Sequence, residues 1–217
     1  DFAFRKLCYF YGAGLCFTEM VSAKGLKYNS EATRALLKKD ASEKITAVQI
    51  FGSDPAVMRA ACESEDLADF PIVDINMGCP VPKVFKNGEG SALLGNIPLA
   101  EKIVSECKRS GKAVTVKFRT GISQDKKITA EFAKMCEPDY EEIAAAKRAV
   151  SIPVIANGGI FSKADADKMI AETGADGVML ARAALYGPHV FAEIAGKNVP
   201  KDIGRDVLGQ IADMLPY

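Results

Sequence analysis

The sequence predicts an α/β protein built on a parallel sheet, of the (β/α) barrel type. Three observations predict it. Strand-like apolar runs alternate with helical patterns along the whole chain. Most of those runs read as continuous apolar stretches, as expected of strands covered on both faces. Polar residues recur where the runs stop: Glu19, Gln49, Asn76, Lys117, Asn157 and Arg182. A barrel gathers such positions in one ring at its mouth. A doubly wound sheet is the competing arrangement, but no GxGxxG follows the first strand.

The elements follow in order. Residues 1–11 are amphipathic, with Phe2, Leu7, Phe10 and Tyr11 at helical spacing and Gly12 as a stop. Residues 15–20 read as a strand. Asn29-Ser30 caps a helix over 31–39, rich in Ala and Leu. A strand over 45–50 leads to Asp54-Pro55, which opens a helix to about residue 68 with proline at its first position. The strand that begins at Ile72 breaks at Gly78-Cys79-Pro80. A helix over 98–110 ends at Gly111, and 114–118 is a strand. Helices are expected over 129–136, 139–150, 163–172, 188–194 and 202–214, with strands over 152–156 and 177–180.

Composition narrows the function classes. With 217 residues, 48% hydrophobic, the chain fits one domain with a sizeable core. No run approaches the ~18 apolar residues of a membrane span. Residues 1–6 lack the basic-then-apolar order of a signal peptide. The six cysteines show no CxxC pair, and there is one histidine, so no metal site is expected. Cys8, Cys16, Cys62 and Cys107 lie in apolar or helical patterns that suit buried thiols in a reducing cytoplasm. Net charge is zero and the pI about 6.8. A nucleic-acid partner would therefore need positive charge concentrated on one face.

The stretch from Ile72 to Leu94, IVDINMGCPVPKVFKNGEGSALL, organises the rest. Its strand places a thiol, Cys79, at its C-terminal end. Lys83, Lys86, Asn87 and Glu89 follow in a loop with Gly88 and Gly90. Polar and charged groups gathered there mark an α/β active site.

From Asp74 to Leu93 this stretch resembles the signature of the tRNA-dihydrouridine synthases, flavoenzymes that reduce uridine in tRNA. The resemblance continues in residues 18–23, 49–52, 114–119 and 152–159, and covers Asp1 to about Ile194. It implies a (β/α)8 TIM barrel over residues 1–196 that binds FMN, with NADPH as reductant and tRNA as partner. It implies a cytoplasmic protein with no membrane and no metal. Residues 197–217 would begin a C-terminal helical region that helps hold tRNA.

The resemblance also implies roles. Cys79 is the general acid that gives a proton to uracil C5 after hydride reaches C6. A thiol can protonate such a carbon. Asn76 contacts the uracil edge or the flavin, and Arg119 meets substrate. Gln49 takes the pyrimidine-like edge of the flavin, which suits an amide with both donor and acceptor. Lys117 sits on the flavin ring; a lysine at the end of a buried strand is costly without an anionic or polar partner. Asn157, Gly158, Gly159, Ala181 and Arg182 cradle the FMN phosphate through backbone N–H groups. Ala181 stands where the family carries glycine. His189 is read as a packing or surface residue. Lys83, Lys86, Lys126 and Lys127 could meet RNA phosphates.

About six strands are legible, where the barrel needs eight. The family's strand bearing Ala-Pro-Met would precede Asp1. Its strand ending in His-Gly-Arg-Thr has only Glu137-Pro138 in its place. A barrel lacking a staggered strand cannot close. The sequence as given is therefore expected to omit residues before Asp1 and near 137–138. Two other readings stay open. One is an FMN-dependent barrel acting on a free pyrimidine, dihydroorotate dehydrogenase-like, although its motifs are not found around Cys79. The other is a non-catalytic RNA-binding barrel, kept open by Ala181 and the absent histidine strand.

Overall fold

The computed structural model describes residues 1–119 and 139–199. They fall into two compact units. The first holds residues 1–9 and the described part of 14–124; the second holds 10–13 and the described part of 125–217.

The first unit is a parallel four-stranded sheet in the order β1-β2-β3-β4. Its strands are β1 (Cys16–Ser22), β2 (Thr46–Phe51), β3 (Ile72–Met77) and β4 (Ala113–Phe118). Helix α1 (Phe2–Phe10) precedes β1. Between β1 and β2 lie α2 (Ala23–Lys27), capped by the Ser22 hydroxyl, and α3 (Glu31–Ala35), capped by Ser30. Helix α4 (Pro55–Glu63) starts as the sequence predicts, with Asp54 accepting from the Ala56 and Val57 N–H groups. Short α5 (Pro82–Phe85) and α6 (Ile97–Lys108) connect β3 to β4.

The two faces of this sheet differ. Val48, Ile50, Val73, Ile75 and Met77 join Val57, Met58, Ala61 and Cys62 of α4 and Ala100, Ile103 and Cys107 of α6 in one apolar core. On the other face, Gln49, Asp74 and Asn76 are buried too. Strands β2 and β3 are thus covered on both faces, as expected, but apolar on only one, while β4 leaves Ala113, Thr115 and Phe118 exposed. The expectation of continuous apolar runs is corrected accordingly: polarity alternates with the pleat.

Other differences have local causes. Glu19 does not end its strand, because β1 runs on to Ser22; its carboxylate meets the Asp1 amino group at 3.0 Å and Arg5 at 3.6 Å. The helix expected over 31–39 stops at Ala35. The one expected to residue 68 breaks at extended Ser64 and resumes as a 3-10 turn over Glu65–Leu67. The five-residue helix α2 was not anticipated.

The second unit pairs β5 (Ile155–Asn157) with β6 (Gly177–Met179), again parallel. Helix α7 (Tyr140–Ala149) starts at Asp139, whose carboxylate accepts from Glu142 N. Helix α8 (Lys163–Thr173) starts at Ser162 and ends at Gly174. Helices α9 (Arg182–Tyr186) and α10 (Val190–Ile194) follow. Ala156, Ile160, Ala166, Met169 and Ala175 form the core of this unit. Strand β5 is shorter than the predicted 152–156. The helices expected over 129–136 and 202–214 lie outside the described residues.

Among the described residues, no helix is long and apolar enough to cross a membrane. No group of three His, Cys, Asp or Glu among them could hold a metal ion.

Candidate active site

Asp74 and Asn76 are two residues apart on β3, so they share the polar face. Parallel register sets Gln49 of β2 beside Asp74, and Lys117 of β4 beside Asn76. The side chains then link in series. Gln49 Nε2 donates to Asp74 Oδ2 at 2.6 Å, and Thr115 Oγ1 donates to Asp74 Oδ1 at 2.6 Å. Asn76 Nδ2 donates to Gln49 Oε1 at 2.9 Å and lies 3.2 Å from Met20 Sδ. Asn76 Oδ1 accepts from Cys79 N at 2.9 Å and from Gly78 N at 3.3 Å.

That last pair is an Asx turn closing the strand. Asn76 does more than close it, because its oxygen holds the backbone of the thiol-bearing residue. Both its polar atoms are occupied by the chain itself, which leaves little for a ligand. Cys79 is half-buried, and its carbonyl accepts from Ser91 N at 3.0 Å. Gly90 makes this return possible. Its φ is +61°, and a Cβ there would sit 2.6 Å from the Cys79 oxygen. Beside it, buried Glu89 faces Lys24 at 3.8 Å.

Charge on this face is unbalanced by geometry. Burial pushes the Asp74 carboxyl up, while the Thr115 and Gln49 hydrogen bonds and nearby Lys117 pull it back. Burial likewise pushes the Lys117 ammonium down, offset in part by the charge of Asp74. With the described residues Lys117 forms no hydrogen bond and no ion pair. A partly buried cation in that state is suited to an anionic or polar ligand. Arg119 lies past the end of β4 and joins none of these bonds.

The remaining predicted residues belong to the second unit. Asn157 Nδ2 donates to Met179 O at 2.7 Å and ties the ends of β5 and β6 together. Gly158 and Gly159 follow with φ of +136° and +62°, a backbone that only glycine adopts without strain. Ala181 has φ −129°, so alanine is tolerated where the family has glycine. The Arg182 guanidinium lies 5.6 Å from the Phe161 ring centre. His189 packs edge-on against Tyr11 and has no hydrogen bond at its buried Nδ1, in keeping with a packing residue.

Sequence reasoning missed Asp74 and Thr115. The signal was present in Asp74 and Asn76, two polar residues at strand spacing inside an otherwise apolar run.

Comparison with known proteins decides the family. Residues 1–139 and 136–215 match the family model described as Dihydrouridine synthase (Dus). The chain belongs to the dihydrouridine synthase family. It is similar to tRNA-dihydrouridine synthase B of Pseudomonas aeruginosa, 38% identical over 227 residues, which covers 92% of this chain and 68% of that one. It is also similar to the tRNA-dihydrouridine synthase B of Proteus vulgaris, 37% identical over 216 residues, covering 89% of this chain and 67% of the relative. The family's fold is a (β/α)8 TIM barrel, and the parallel sheets with crossover helices are of that class. The family's cofactor is FMN, and the residues present fit it. In the first unit, half-buried Lys117 has no hydrogen bond or ion pair among the described residues and suits an anionic or polar group; in the second, the Gly158-Gly159 backbone is open to close approach by a ligand.

Proposed function

We infer that this chain reduces uridine to 5,6-dihydrouridine in tRNA, using FMN with NADPH as the reductant. The observation that carries this reading is the 2.9 Å bond from Cys79 N to Asn76 Oδ1. It fixes an accessible thiol at the end of β3, next to a buried polar face whose cation, Lys117, has no ion pair among the described residues.

When bound, FMN supplies the hydride. The chain's own residues do the rest. Gln49 and Lys117 hold the ring, with Lys117 placed to offset negative charge on it. Asn157, Gly158, Gly159, Ala181 and Arg182 hold the phosphate, chiefly through backbone N–H groups. Arg119 meets the substrate. Asn76 orients the turn that carries Cys79. The Cys79 thiol gives its proton to uracil C5, and the thiolate is reprotonated afterwards. Such chemistry needs the uridine out of its stack. Lys83, on α5 rather than the expected loop, and Lys86, which caps it, are exposed beyond Cys79 and suited to meet phosphates. Lys126 and Lys127 lie outside the described residues.

On this reading residues 1–196 are the catalytic barrel; the tRNA-holding region proposed from 197 on lies almost wholly outside the described residues. The cytoplasm is the implied compartment. The buried free thiols of Cys8, Cys16, Cys62 and Cys107 suit it.

The test is incubation of the purified protein with FMN, NADPH and unmodified tRNA, followed by nucleoside mass analysis. Two hydrogens added to uridine residues are expected. Turnover of free dihydropyrimidines in place of tRNA would contradict the substrate. A full-length protein that binds no flavin would leave a non-catalytic RNA-binding role.

A further inference from the structure

The resemblance attaches no role to Asp74, yet the bonds that end at Cys79 begin there. Asp74 is 2% exposed on the polar face. Ionised, with Thr115 Oγ1 already donating to Oδ1 at 2.6 Å, the carboxylate only accepts, so the Gln49 group facing Oδ2 at 2.6 Å is its NH2 and not its carbonyl. That orientation decides the next one. Gln49 Oε1 faces Asn76, which must present its own NH2. Asn76 Oδ1 is then left to accept from the Gly78 and Cys79 N–H groups. Either amide alone has two orientations of nearly equal shape. A carboxylate at the head of the series removes the choice at every later link.

We propose that Asp74 is a positioning residue: it sets the donor–acceptor direction of the Gln49–Asn76 series and thereby holds the turn that carries Cys79. The same direction leaves the second N–H of Gln49 as a donor. The ligand edge that meets Gln49 is therefore an acceptor, a carbonyl oxygen or an imine nitrogen. The proposal rests on the reading of Cys79 as the general acid and Gln49 as a flavin contact.

Labelling the full chain with 15N-cysteine gives one backbone amide signal for each of its six cysteines. Cys79→Ser identifies the signal of residue 79 by its loss. Gln49→Glu sets a carboxylate against Asp74 and is expected to move the Cys79 signal by more than its linewidth. Adding Asp74→Asn reverses the pair. The amide at 74 now donates to the carboxylate at 49, whose other oxygen still accepts from Asn76. In Asp74→Asn/Gln49→Glu the Cys79 signal is expected back at its wild-type position. Asp74→Leu removes the head of the series and is expected to displace it. Should Gln49→Glu alone fail to fold, the double variant and Asp74→Leu decide by the same criteria. A Cys79 signal that ignores Asp74→Leu, or that does not return in the double variant while the Cys62 and Cys107 signals stay in place, overturns the proposal. FMN titration of the double variant separates the two claims. Weak binding with a restored signal upholds both; undiminished binding keeps Asp74's role and removes the flavin contact of Gln49.

Discussion

Two buried polar clusters sit at opposite ends of the same strands, and they are built differently. At the N-terminal end, Arg5 Nε donates to Glu43 Oε2 at 2.8 Å and Nη2 donates to Oε1 at 3.1 Å. Thr46 Oγ1 and Asp40 N also donate to the Glu43 carboxylate, at 2.7 and 2.9 Å. Tyr9 adds bonds to Ile45 O and Thr46 and accepts from Cys16 N. Charge meets charge, and the carboxylate is enclosed by its donors. At the C-terminal end, Gln49, Asp74 and Asn76 are equally buried, but Lys117 has no charge partner at hydrogen-bonding distance among the described residues and Cys79 is accessible. The first cluster closes on itself; the second leaves a cation and a thiol open. In barrels the C-terminal face carries chemistry and the opposite face stability.

This contrast can be broken from either side. The largest expected effect is on the closed cluster. Glu43→Ala leaves the Arg5 guanidinium, which is 4% exposed, with only the Lys38 carbonyl and half-exposed Glu19 at 3.6 Å, and should destabilise by about 3 kcal/mol. Urea denaturation measures it, and FMN affinity of the folded protein should not change. Next comes Lys117→Met. It removes the half-buried cation, so FMN affinity should fall about tenfold to a hundredfold, the value of ~1.5–3 kcal/mol for bonds to a charged group. Melting of the flavin-free protein should hold or rise, because an unpaired ammonium leaves a partly buried site. Gly90→Ala comes third. It forces a side chain into a left-handed backbone at about 1–2 kcal/mol and against the Cys79 carbonyl. Dihydrouridine turnover should drop with FMN binding retained.

The smallest effect is on pH dependence. Burial alone would push the Glu43 carboxyl up, but Arg5, Asp40 N–H and Thr46 together hold it below the usual range. A folded value below the unfolded one adds stability above the ordinary carboxylate range, lost as pH falls through the folded value. Glu43→Gln should therefore flatten the acid limb of stability against pH; an unchanged limb would remove this role.

Much of the upper cluster was legible in one dimension, and almost none of the lower. Gln49, Asn76, Cys79 and Lys117 stand at or near the points where strand runs stop, and stop signals are local. The spacing of Asp74 to Asn76 showed a shared face, but its partner depends on which residue of β2 lies beside it, a register no single strand reveals. Arg5 and Glu43 are 38 residues apart and look like ordinary surface charges in sequence. The mixed polarity of the strands was hidden for a related reason: polar residues paired with each other can be buried as completely as valine. The short helices α2 and α9 fell below the length at which helical spacing shows. The turn after β5 was easier, since Asn157-Gly158-Gly159 announces its own backbone.

The most direct measurement is a single anaerobic turnover of tRNA by the pre-reduced protein and by Cys79→Ala. The account predicts that dihydrouridine formation falls by about a hundredfold to ten-thousandfold, the usual contribution of a general acid. Flavin absorbance and melting temperature should stay at wild-type values. Normal dihydrouridine yield from Cys79→Ala would contradict it.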